Sequence, residues 1–183
     1  MKEQQKKYEL TDEFIEIFGG KKLYRIKALV SFGVVVAGQL GGFIESEKNL
    51  DQSLSGNAWV SGDALVYGNA RVYGNALVYG SARVYGDARV YGDALVYGNA
   101  RVRSHAVISE HKMIFWASNV GSENGTLTVF NGKDGLIVTR GCFTGTVDEF
   151  LAKSAEVHDD KTKNEYKLLI EVAKSRILGV KDE

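Results

Sequence analysis

Between Gly56 and Ser109 apolar and polar positions recur with a period of six. The chain reads GNAWVS, GDALVY, GNARVY, GNALVY, GSARVY, GDARVY, GDALVY, GNARVR and then a degraded SHAVIS. Alanine occupies positions 58, 64, 70, 76, 82, 88, 94, 100 and 106; valine follows two residues later from Val60 through Val102, and Ile108 takes its place last. Residues two apart on an extended chain point to one side, and the residue between them points to the other. Each unit therefore turns Ala and Val inward and one side chain outward. Gly followed by Asn, Asp or Ser supplies the corner, through positive φ or side-chain bonds to the backbone. A short strand and a corner, repeated, coil into a parallel β-solenoid with an Ala/Val interior. A glycine in every unit excludes helical repeats.

The outward residues set the number of units per coil. They are Trp59, Leu65, Arg71, Leu77, Arg83, Arg89, Leu95, Arg101 and Val107. Two units per coil would stack Trp59, Arg71, Arg83, Leu95 and Val107 in one column, mixing apolar with charged groups. Three per coil sort them into Trp59/Leu77/Leu95, Leu65/Arg83/Arg101 and Arg71/Arg89/Val107. The pattern thus predicts a mainly β chain built on a short three-sided solenoid, each coil rising by about 4.8 Å.

Solenoid ends expose strand edges and an open core, so both need caps. Three regions follow: an N-terminal β cap over 1–53, the solenoid over 54–109 and a small α+β module over 110–183. In the first, Glu13–Phe18, a turn at Gly19-Gly20 and Leu23–Val30 predict a hairpin, with short strands at Val34–Ala37 and Phe43–Ile44. In the last, strands are predicted near Met113–Trp116, Thr126–Phe130 and Leu136–Arg140, then two helices. Thr146 with Glu149 and Thr162 with Glu165 both fit a capping box. Tyr166, Leu169, Ile170, Ala173 and Ile177 keep helical spacing, and Gly179 suits the stop.

Composition narrows the function. The 183 residues carry 23 basic and 23 acidic groups, 21 Gly and no Pro. Zero net charge argues against a general nucleic-acid or membrane binder. No stretch has the apolar length of a membrane span, and the polar Met1–Glu9 opening predicts no signal peptide. Cys142 is the single cysteine, which leaves no internal disulfide and no thiolate zinc site and points to a cytoplasmic setting. Neither a metal nor a cofactor is expected.

Read from its valine, VYGNAR resembles the hexapeptide repeat of left-handed parallel β-helices, with Tyr where that repeat has a small or acidic residue. Over nearly its whole length the chain also resembles a family of phage and prophage hexapeptide-repeat proteins, through LYRIKALVSFG at Leu23–Gly33, GGFIESEKNL at Gly41–Leu50, the GNARVYG units and NGKDGLIVTRGCFTGTVDEFL from Asn131. The resemblance implies a left-handed coil and a viral origin, hence the cytoplasm of a bacterial host, and attaches no chemistry. Acyltransferases that share the repeat place a histidine base between neighbouring solenoids, which makes acyl transfer from a coenzyme A thioester the enzymatic alternative.

The residues favour binding over catalysis. His105 ends the decayed repeat, His111 lies in a charged connector and His158 suits a helix C-terminus. Asp148-Glu149 and Asp159-Asp160 read as helix-end charges, and Cys142 reads as a core thiol. No phosphate-loop or dinucleotide fingerprint is present, and no catalytic set emerges. The arginines say more: Arg71 stacks over Arg89 and Arg83 over Arg101. Like charges so close repel unless something intervenes. Tyr67, Tyr73, Tyr85 and Tyr91 are expected to stack on the guanidinium planes, and Asp63, Asp87 and Asp93 to pair with them. Such a ladder is either a solvated face or a site for an anion or nucleotide-like ligand, since Arg forks grip phosphate bidentately and Tyr offers a stacking face. A second candidate is the C-terminal hairpin with Ser122, Asn124, Thr126 and Arg140. The Trp59, Leu77 and Leu95 column is either covered by a terminal module or forms a subunit interface, a trimer being favoured by the resemblance. The expected function is a non-enzymatic, homo-oligomeric phage or prophage protein that sequesters a nucleotide-like defence signal or a host protein. A ligand-free scaffold is the remaining alternative.

Overall fold

A computed structural model describes residues 4–179; residues 1–3 and 180–183, the outermost parts of the two flanking regions, lie outside the described residues. Strands β1 (Tyr8–Ile17) and β2 (Lys21–Ala28) form an antiparallel hairpin closed at Gly19 and Gly20, both with positive φ. β1 starts ahead of the predicted Glu13 because Tyr8 is an anchor: it is fully buried and its hydroxyl donates to the Leu50 carbonyl at 2.6 Å. β3 (Leu40–Ile44) contains the predicted Phe43–Ile44 strand. Val34–Ala37 is not a strand; Phe32 and Val35 exchange backbone bonds across a tight turn, and Val34 and Val36 are exposed.

The repeat folds into nine two-residue strands: β4 (Trp59–Val60), β5 (Leu65–Val66), β6 (Arg71–Val72), β7 (Leu77–Val78), β8 (Arg83–Val84), β9 (Arg89–Val90), β10 (Leu95–Val96), β11 (Arg101–Val102) and β12 (Val107–Ile108). They stack in parallel as three sheets with the predicted registers, Trp59 over Leu77 over Leu95, Leu65 over Arg83 over Arg101, and Arg71 over Arg89 over Val107. Every repeat alanine is fully buried, and Val60 through Ile108 fill the prism beside them. The stack begins ahead of the first glycine-led unit. Phe43 and Ile44 pair with Leu65 and Val66, and Leu50 bridges Val72, adding a partial coil. Gly42 stands where an alanine would: a Cβ there would lie 2.7 Å from the Ala64 carbonyl oxygen.

Both open ends are closed by polar side chains. At the top, the buried Lys7 ammonium donates to the Gly56 and Ala58 carbonyls, at 3.4 and 3.1 Å. Burial pulls the Lys7 pKa down, and the charge of Asp51 opposes that pull. On the next corner Asn49 Nδ2 donates to the carbonyls of Gly68 and Ala70. At the bottom, both backbone groups of Arg101 point off the last coil. Its N–H donates to Thr128 Oγ1 at 3.1 Å, and its carbonyl accepts from Thr139 Oγ1 at 2.8 Å. Asn131 Nδ2 does the same for the Val107 carbonyl. A buried edge left unpaired would be costly, and these groups pair it.

Those threonines belong to a four-stranded antiparallel sheet, β13 (Ile114–Val120), β14 (Gly125–Gly132), β15 (Gly135–Arg140) and β16 (Phe143–Thr146). β16 was not predicted, since FTGT carries too little apolar periodicity to read as a strand. Helices α1 (Val147–Val157) and α2 (Asp160–Leu178) cover the sheet around Phe150, Tyr166 and Ile170. The Thr146/Glu149 capping box is formed. The second box is not: Asp159 caps α2 by accepting from the Thr162 N–H, Thr162 is buried, and Glu165 instead accepts from the Gly121 N–H. An Asp directly before the helix satisfies its first amides more simply than a Thr inside it. Among the described residues no helix is long and apolar enough to cross a membrane.

Candidate functional site

The predicted site residues separate onto two faces. Arg71, Arg89, Tyr73 and Tyr91 share one sheet and its corner. There Tyr73 stacks on Tyr91 with ring centres 4.9 Å apart and planes 3° from parallel. Tyr67 with Tyr85 and Tyr79 with Tyr97 repeat the arrangement. The tyrosines thus stack chiefly on one another at the coil spacing; a guanidinium lies over a repeat tyrosine where Arg71 meets Tyr73, at 5.8 Å, and where Arg103 meets Tyr85, at 5.7 Å. The aspartates do not pair with the arginines. Asp87 and Asp93 accept from Asn69 and Asn75 one coil away, in a corner ladder of their own. Arg71 borders a small hollow that also holds Glu47, Lys48 and Asp51, so the charges around it are mixed in sign.

The other face is different. Arg83 and Arg101 stand one above the other, exposed, and the C-terminal sheet brings Arg140 and Thr126 against them. Ser81 and Asn99 complete a cleft of about 280 Å³. Two candidate regions that are far apart in sequence, the repeat face and the hairpin, therefore meet in one place. Among the described residues no carboxylate lies within 4 Å of the Arg83 or Arg101 guanidinium.

Arg140 is held in advance. Its Nε donates to the Tyr166 hydroxyl at 2.9 Å, and its side chain is only 12% exposed. Its terminal nitrogens lie against Gly125, where a Cβ would come within 2.6 Å of Nη1. Glu123, 3.8 Å away and highly exposed, is a weak counter-charge in water. Arg103, outside the predicted set, fixes the neighbouring turn: it donates to Tyr85 Oη at 3.0 Å and to the Phe143 carbonyl at 2.6 Å. Its only trace in the sequence is an Arg at the Tyr position of GNARVR.

Among the described residues, three further cavities lie beside the module. The largest, about 460 Å³, is an aromatic slot between Leu95, Tyr97 and Trp116, with His111 and Arg176 on its wall. It offers one guanidinium against three in the smaller cleft. A second, about 230 Å³, lies beyond Arg140 and holds Ser122, Cys142 and His158. A third, about 220 Å³, includes His105. The three histidines thus sit in three separate cavities, and none lines the arginine cleft. His158 caps α1 as predicted, 3.0 Å from Ser154 Oγ. Cys142 is exposed at the β15–β16 turn, not a core thiol.

The coil geometry agrees with a sequence comparison. A family model described as the YdcK beta solenoid repeat matches residues 70–86, 82–98 and 88–110. The hexads are a β-solenoid repeat. No curated protein matches the chain.

Within that β-solenoid repeat the apolar column divides. Trp59 is 3% exposed, enclosed by Tyr8 and Phe32 at ring-centre distances of 6.3 and 5.4 Å. The chain's own N-terminal segment covers it, which withdraws it from any subunit interface. Leu77 and Leu95 remain half-buried. Asn124 adopts positive φ in the β13–β14 turn and borders none of these cavities.

Proposed function

We propose that this protein is a non-catalytic receptor for a phosphate-bearing, nucleotide-like molecule, held in the cleft between the solenoid and the C-terminal sheet. One observation carries the reading: Arg83, Arg101 and Arg140 converge on a single polar cleft whose lining contains no carboxylate. Three guanidiniums lining one cleft repel one another, and a polyanion relieves that repulsion while accepting bidentate bonds. Arg140 is pre-oriented by Tyr166, so little ordering is lost on binding.

The lining argues for holding over converting. Ser81, Asn99 and Thr126 are polar groups without a base beside them, and no histidine or cysteine reaches the cleft. Acyl transfer would need such a base. The resemblance to phage and prophage hexapeptide-repeat proteins supports sequestration of a host signal in the bacterial cytoplasm as the biological use.

The test is a thermal-shift titration with pyrophosphate and common nucleotides. A ligand at one hundred times its dissociation constant adds about 2.7 kcal/mol, or about 5–10 °C for a chain of this size. Arg83→Ala with Arg101→Ala should abolish the shift without lowering the unliganded melting temperature. A shift that survives both substitutions places the ligand elsewhere.

A further inference from the structure

The arginine cleft and the cavity beyond Arg140 are neighbours with opposite chemistry. Arg140 and Gly141 line both. On one side stand guanidiniums, two hydroxyls and an amide. On the other stand Phe143, Phe150, Val157, His158 and Tyr166, an aromatic and aliphatic wall, with the exposed Glu123 at its rim. The crest between them is low: Gly141 has φ of 56° and no side chain, and a Cβ there would meet nothing within 4 Å. Arg140 forms the crest's base, with Nε toward Tyr166 on the aromatic side and its terminal nitrogens beside Gly125 on the polar side.

From this we infer that the two cavities are one bipartite site for a nucleoside diphosphate group, with the phosphates among Arg83, Arg101 and Arg140 and the base across Gly141 against Phe143 and His158. The inference rests on the phosphate reading above and extends it. Arg83 and Arg101 are one coil apart, which gives each of two linked phosphates a guanidinium of its own. An aromatic wall suits the face of a nucleobase, and a sequence-tolerant stacking contact is worth enough to be seen in affinity. Lys153 and Ser122 at the wall's edge supply polar groups for the sugar or base rim.

Cys142 makes the test direct, because it is exposed on the aromatic side and is the only thiol. Calorimetric titration of the intact protein with pyrophosphate and with ADP, GDP, CDP and UDP is paired with the rate of Cys142 alkylation by N-ethylmaleimide. At least one nucleoside diphosphate should bind about tenfold or more tightly than pyrophosphate. That nucleotide should slow alkylation severalfold, whereas saturating pyrophosphate should not. If pyrophosphate binds and no nucleotide binds better, or the tighter nucleotide leaves alkylation unchanged, the base subsite is overturned and the phosphate cleft stands. If neither pyrophosphate nor any nucleotide binds, both readings fall.

Discussion

At the residue scale the corner glycines show how narrowly the coil is specified. Gly74 has φ of 66°, and a Cβ on it would lie 2.9 Å from the Gly92 nitrogen of the next coil. Conformation and space both demand glycine there. Gly74→Ala should therefore cost at least about 1–2 kcal/mol, read as a lower midpoint in urea denaturation. Ser104 is the converse. It takes a corner position with φ of 61° in the decayed last unit, one coil beyond Gly86. Ser104→Gly should raise stability by about 0.5–1 kcal/mol in the same experiment, since the strain it removes exceeds the entropy it adds. Gly125 matters for a different reason. Its missing side chain is the space in which the Arg140 guanidinium lies.

At the scale of elements, the solenoid is held at its ends by single side chains. Thr139 alone satisfies the Arg101 carbonyl from below, and it is 2% exposed. Thr139→Val keeps its shape but leaves that carbonyl without a donor, and should cost about 1–3 kcal/mol in urea denaturation. Glu45, just past β3, makes the upper end pH-sensitive. Burial pushes its pKa up, but the bond and charge of Lys21, the Gly68 N–H and the charge of Lys48 outweigh burial and leave it below the usual carboxylate range. A carboxylate with a depressed folded pKa adds stability that is present above its unfolded pKa and fades as pH falls through the folded one. Melting temperature should therefore drop on acidification below the carboxylate range, and Glu45→Gln should flatten that drop.

These caps also mark where sequence reasoning stops. The coil was legible because Ala, Val and Gly repeat without interruption, and the sorting of Trp59, Leu77 and Leu95 from the arginines was enough to set three units per coil. Lys7, Asn49, Thr128 and Thr139 carry no such pattern: each meets a backbone group distant in the chain, which no local period records. The same holds for β16, whose FTGT segment pairs through its backbone, and for Asp159, which displaced Thr162 as a cap by standing one residue outside the helix.

At the scale of the whole molecule, the candidate site belongs to no single region. Arg83 and Arg101 come from the repeat, Arg140 and Thr126 from the C-terminal sheet, and the threonine bonds that dock the sheet onto β11 also set the distance between them. Both sets of residues were visible in the sequence as separate candidates; their union was not, because it depends on how the last coil is closed. The Arg71/Arg89 face, equally prominent in the sequence, has Val107 where a third arginine would stand, and the hollow beside Arg71 is mixed in charge, with Glu47, Lys48 and Asp51.

The phosphate cleft is tested most directly by phosphorus-31 NMR of pyrophosphate titrated with the protein and with an Arg83→Gln, Arg101→Gln variant. Both arginines are exposed on the solenoid face, so the variant should keep its fold. The resonance should shift and broaden with the native protein and stay as in buffer with the variant. An unchanged resonance with the native protein, or an equal change with both, would contradict the phosphate reading.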